Sequence, residues 1–144
     1  MGGIKKMDLD SVRIAIEELK QRFTVIKNTL KYDFLKSEVE KLQNVTMEDG
    51  FWNDSKKQSL ILPKIKKFKD MIEKIDYLSG QIDEAEGYLQ IADELNDIQS
   101  FKEAEKISKM LVEKLEKLEM DTLLSDEYDS LNAIVTIHPG AGGT

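Results

Sequence analysis

Apolar residues recur at alternating steps of three and four along most of this chain, and that repeat leaves few folds open to it. Leu9, Val12, Ile16, Leu19, Phe23, Ile26 and Leu30 fall on one stripe of a helix. Ile61, Phe68, Ile75, Ile82 and Leu89 step by seven, with Ile65, Ile72, Leu78, Ala85 and Ala92 beside them. Sustained over more than four heptads, this is the seam of a coiled-coil-like helix. Phe101, Ala104, Ile107, Leu111, Leu115 and Leu118 form a third stripe. Pro63 and Pro139 are the only prolines, so long uninterrupted helices are allowed almost everywhere. The expected fold class is all-α: an antiparallel bundle of three to four long helices with coiled-coil-like packing, the short links making neighbours antiparallel.

Punctuation divides the repeat. The first helix is expected over 8–31, with Asp8 or Asp10 accepting backbone N–H bonds at its start. Tyr32, Asp33 and Phe34 interrupt the pattern, and Asp33 is a candidate N-cap for a shorter stripe, Leu35, Val39 and Leu42, over 34–44. Residues 44–54 read as a loop: Gly50 permits positive φ, and Phe51 and Trp52 are expected to plug one end of the bundle because both are large and apolar. Asn53, Asp54 or Ser55 then caps the longest helix, 55–95, about 60 Å at 1.5 Å per residue. Pro63 kinks it or marks its true start, and Gly80 and Gly87 weaken its middle by about 1 kcal/mol each relative to Ala. Ser100 and Glu103 match a capping box for a last helix ending near Thr122.

Beyond it the pattern changes. Ser125 to Ser130 is turn-like, and Asn132 to Ile137 is the one run rich in β-branched residues. A glycine-rich loop, Gly140 to Thr144, follows His138 and Pro139. A lone strand is not a stable object, so we expect a helical domain over 1–124, then a linker and the first strand of a truncated next domain over 125–144.

Composition excludes whole classes. The net charge of −7 argues against a free-standing nucleic-acid binder with a basic face. With no cysteine there is neither a disulfide framework nor a thiolate metal site. Met1 to Leu9 lacks the apolar core of a signal peptide, and no stretch approaches the roughly 20 apolar residues of a membrane span. A cytoplasmic setting is expected.

The segment Ser125 to Thr144 resembles the junction in bacterial class I peptide chain release factors, where a helical first domain hands over to a strand and a glycine loop. Gly140, Gly142, Gly143 and Thr144 are similar to the release factor 2 branch of that family, as are Trp52 and Asn53 in the loop after Gly50 and the Tyr32-Asp33 pair. Pro139 departs from the pattern, which has Ala before the glycine. The resemblance covers roughly 8–144 and implies translation termination. It implies a full-length factor that reads UGA or UAA with a Ser-Pro-Phe element and promotes peptidyl-tRNA hydrolysis with a Gly-Gly-Gln loop. Neither tripeptide occurs in these 144 residues. The resemblance therefore implies a non-enzymatic docking domain, with the large-subunit stalk base of the ribosome and the release-factor GTPase as partners; the parent factor would also contact rRNA and mRNA. No cofactor is expected.

Other readings of single features are weaker. The glycine loop lacks the Lys of a phosphate-binding loop, since Gly143 precedes Thr144. His138 has no partner whose geometry the sequence fixes, and the scattered carboxylates single out no acid–base pair. Lys64, Lys66, Lys67 and Lys69 read either as a solvated face or as a ribosome-contacting patch. The alternative to a termination factor is an unrelated helical coiled-coil interaction module. The heptads are expected to pack within one chain as a monomer, with self-association as the competing outcome.

Overall fold

The computed structural model describes residues 3–137, with side chains as far as Leu123. Among them lie α1 (Lys6–Thr29), α2 (Tyr32–Thr46), a 3-10 turn (Phe51–Asn53), α3 (Ser55–Leu95) and α4 (Ile98–Ile137). The all-α expectation holds.

α1 and α2 are two helices, not one bent rod. Leu30 closes α1 by donating its N–H to Ile26 O, and Lys31 then adopts the left-handed conformation at φ 54°. That geometry costs a non-glycine residue about 1–2 kcal/mol. It lets α2 carry on in tandem with α1 along the full length of α3. Cross-links trace this path. Ile4 N donates to Asn96 Oδ1 at 3.0 Å, Arg13 pairs with Asp93, Lys20 with Glu86, Tyr32 with Asp76 and Glu48, just past α2, with Lys57. As the first partner advances along the chain, the second recedes, so α1 and α2 run antiparallel to α3.

α4 returns along the second half of α3, parallel to α1, to which Arg22 and Glu119 tie it. Ala85, Ala92 and Ala104 are fully buried, and small side chains of this kind let helix axes approach closely. The three helices enclose one core: Leu9 to Ile26 from α1, Ile75 to Ala92 from α3, Ala104 to Leu118 from α4. A second, smaller buried set, Leu35, Val39 and Phe51, lies where α2 and the 3-10 turn pack against the first half of α3. There Ile61, Ile65, Phe68 and Ile72 are half-buried.

Several expectations are corrected. The strand over 132–137 is absent: α4 runs on to Ile137 rather than stopping near Thr122. A strand there has no ladder partner among the described residues, whereas a helix satisfies each backbone group locally. The capping box at Ser100 does not form. α4 starts at Ile98, Asp97 accepts the Gln99 N–H at 3.1 Å, and Ser100 Oγ donates to Asp97 at 2.8 Å. Asp8 and Asp33 lie in first helical turns instead of at N-caps, where a carboxylate still complements the helix dipole. Asp54 caps α3 as one of the three candidates, accepting from Lys57 N at 3.1 Å. Pro63 is accommodated inside α3, eight residues after its start. Gly50 takes φ 84°, as the turn requires.

Candidate functional site

Phe51 and Trp52 part company. Phe51 is buried at 1% exposure, while Trp52 is 63% exposed and meets the Phe51 ring edge-on, 5.0 Å between centroids. One aromatic suffices to fill the gap between α2 and α3, so the second stays in solvent. Asn53 ends the same 3-10 turn and is exposed. Gly140, Gly142, Gly143, Thr144 and His138 lie outside the described residues.

Lys64, Lys66, Lys67 and Lys69 are all exposed on α3, but a helix does not keep them on one face. Residues two apart diverge by about 200° at 3.6 residues per turn, so Lys64 and Lys67 look one way, Lys66 and Lys69 the other. Lys66 also pairs with Asp70 at 3.1 Å.

The larger electrostatic feature is a segregation along α3. Residues 55–69 hold six lysines and no acid, whereas 75–95 hold six acids and no base. This order adds to the helix macrodipole rather than opposing it. The acidic half is partly neutralised by α1. Glu86 accepts from Lys20 at 2.8 Å, a bond that raises the Lys20 pKa, and Asp93 accepts from Arg13 at 3.3 Å. Arg22, bonded to Glu119 of α4, is likewise raised. Among the described residues the basic half has no comparable acidic neighbour, apart from Glu48 beside Lys57 and Asp70 beside Lys66.

At the junction of the two halves, α3 and α4 border an open cleft of about 160 Å³ lined by Lys74, Tyr77, Lys114, Lys117 and Asp121 above buried Leu78 and Leu118. The Lys114 ammonium sits 5.4 Å from the Tyr77 ring centroid, and Tyr77 is 48% exposed. Sequence reading missed this group because it weighed neighbours in sequence. The signal that finds it is the heptad step from Lys67 to Lys74, read together with charge counted window by window.

A family model described as the PCRF domain matches residues 35–144. The chain belongs to the PCRF-domain family. Within it, the chain is similar to peptide chain release factor 2 of a Nitratiruptor species, 33% identical over 129 residues, which cover 90% of this chain and 35% of the relative. Release factor 2 of Petrotoga mobilis is 33% identical over 92% of the chain and 36% of its own length. That of Clostridium perfringens is 33% identical over 96% and 38%. The PCRF-domain chain thus spans a little over a third of the length of the curated relatives it matches. The resemblance to release factor 2 is upheld at the level of the family. Among the described residues no helix is long and apolar enough to cross a membrane.

Proposed function

We propose that this chain is a helical domain through which a translation termination factor docks on the ribosome. The PCRF match over 35–144, with release factor 2 relatives across nearly the whole chain, is the observation that carries the reading, and it displaces the unrelated interaction module. In the parent factor, reading of UGA or UAA and hydrolysis of peptidyl-tRNA fall to elements other than these residues, so the domain itself is not an enzyme. Its part is to hold a place near the large-subunit stalk base in the cytoplasm, within reach of the release-factor GTPase. Rigidity supports that part: α3 alone is a 41-residue helix, roughly 60 Å long, braced along its length by α1 and α2.

Co-sedimentation with ribosomes, intact or stripped of the stalk base, at low and moderate salt tests this. Stalk-dependent pelleting of the chain is expected. Pelleting that is absent, or indifferent to the stalk base, refutes docking at that place.

A further inference from the structure

We propose that the cleft between α3 and α4 around Tyr77 binds the phosphate backbone of RNA. The inference rests on the ribosome-docking reading for the identity of the anion, but on its own observations for the site. Three ammonium groups, Lys74 from α3 and Lys114 and Lys117 from α4, border one cleft with a single carboxylate, Asp121. None of the three lysines makes an ion pair among the described residues. That is unexpected in a chain whose acids outnumber its bases, 28 to 21. Their mutual repulsion is relieved by an anion between them.

The cleft also has a direction. Lys67 and Lys56 lie 7 and 18 residues before Lys74, which is two and five helical turns, so all three look the same way at ~10 and ~27 Å from the cleft. An elongated polyanion can follow such a row, whereas a lone anion uses only one end of it. Tyr77 adds an exposed aromatic ring among the lysines, the pairing by which proteins hold unpaired bases beside their phosphates. An acidic peptide would leave that ring unused. The acidic half of α3 lies just beyond the cleft and repels phosphate, which fixes the limit of the binding track.

The test measures binding of a fluorescently labelled RNA hairpin with a single-stranded loop by anisotropy, between about 50 and 200 mM salt. Three proteins are compared: the unaltered chain, a cleft variant (Lys74→Glu, Lys114→Glu, Lys117→Glu) and a control with the same charge change at the far end of the bundle (Lys5→Glu, Lys6→Glu, Lys102→Glu). Circular dichroism establishes that all three fold. Each lost lysine–phosphate contact lowers the slope of log K against log salt by about 1. The cleft variant is therefore expected to lose about 3 from the slope and the control less than 1. Equal slopes for the unaltered chain and the cleft variant, an equal loss in the control, or no RNA binding at the lowest salt overturns the proposal. Inorganic phosphate at matched ionic strength is expected to displace RNA no better than chloride; selective displacement would mean a site for free phosphate and overturn the assignment to RNA.

Ribosome co-sedimentation of the same proteins separates the two readings. If the unaltered chain and the cleft variant pellet equally, the cleft is refuted and docking stands. If the chain does not pellet yet binds RNA through the cleft, docking is refuted and the cleft stands.

Discussion

Phe51→Ala should loosen one end of this molecule without loosening the other. Phe51 is 1% exposed and stands outside the core shared by α1, α3 and α4. Removing a buried Phe side chain costs about 3–5 kcal/mol. Its place in a short turn at the end of the bundle favours partial collapse of the gap, so the low end applies, near ~3 kcal/mol. The measured range already includes lost contacts, so the edge-on contact to the exposed Trp52 raises this low-end figure by less than about 1 kcal/mol. The total of about 3–4 kcal/mol falls on a region held by few buried groups, Leu35 and Val39 among them. Such regions open sub-globally. At 1.4 kcal/mol per decade, backbone amides in α2 and in residues 55–72 should lose about two to three decades of protection in hydrogen exchange. Amides of α1, of residues 75–92 and of 98–118 should change little. Trp52→Ala, at an exposed ring, should cost less than about 1 kcal/mol. Faster exchange spread evenly over α1 and α4 would show one cooperative unit and refute the two-cluster reasoning. An equal effect of Trp52→Ala would refute the division of labour between the two rings.

An added Cβ at Gly80 or Gly87 meets nothing within 4 Å and neither glycine has positive φ, so Gly80→Ala and Gly87→Ala should each stabilise by about 0.5–1 kcal/mol, read as a rise in Tm of a few degrees. Ser108 Oγ is buried without a hydrogen-bond partner among the described residues, and Ser108→Ala should leave stability unchanged or raise it by about 1 kcal/mol in urea unfolding; a loss would reveal a partner for the hydroxyl. The Tyr32 phenol, donating to Asp76 and partly desolvated, has a pKa raised above its ordinary value of 10.0, with Asp33 and the Lys27 and Lys36 ammoniums also facing it. A raised folded value means its stabilising contribution is complete below pH 10 and is lost as pH climbs through that folded value; Tyr32→Phe should flatten this part of the stability profile, measured by unfolding at stepped alkaline pH. Lys56→Glu, in the first turn of α3, should stabilise the helix by about 0.3–1 kcal/mol through the dipole, and a lower Tm would contradict the view that this end carries charge against its own stability.

How much of this was legible in the sequence depends on what each feature needed to know. The stripe Leu9 to Ile26 and the stripe Ala104 to Leu118 are buried as read, because period alone places them on one face. Period could not say how well a stripe is covered. Ile61, Ile65, Phe68 and Ile72 continue the seam of Ile75 to Leu89 but are half-buried, since only α2 and the short 3-10 turn cover them while α1 and α4 both cover the rest. Local competition was also invisible. Asp97 and Ser100 are both good cap residues, and the carboxylate takes the helix start while the serine donates to it. The β-branched run ending at Ile137 states a propensity, which yields where no partner strand exists among the described residues. Lys64, Lys66, Lys67 and Lys69 are exposed but do not share one face, because adjacency in sequence is not adjacency on a helix, and the cleft was missed because its members come from two helices.

The charge order of α3 ties the fold to the proposed role. A helix that only needed to be stable would carry its acids first and its bases last. Here the reverse holds, with Lys56 and Lys57 in the first turns and Asp93 and Glu94 in the last. Asp54 at the N-cap and the α1 bases beside Glu86 and Asp93 offset part of the disadvantage within the chain. The basic end has few such partners among the described residues, Glu48 and Asp70 being the exceptions. Attraction that is left unsatisfied within the bundle remains available to a polyanion, and a chain with net charge −7 must concentrate its lysines to present any such surface. On the proposed reading, a polyanion would be repelled along the second half of α3 and attracted along the first, so the same charge order would orient the domain as well as hold it.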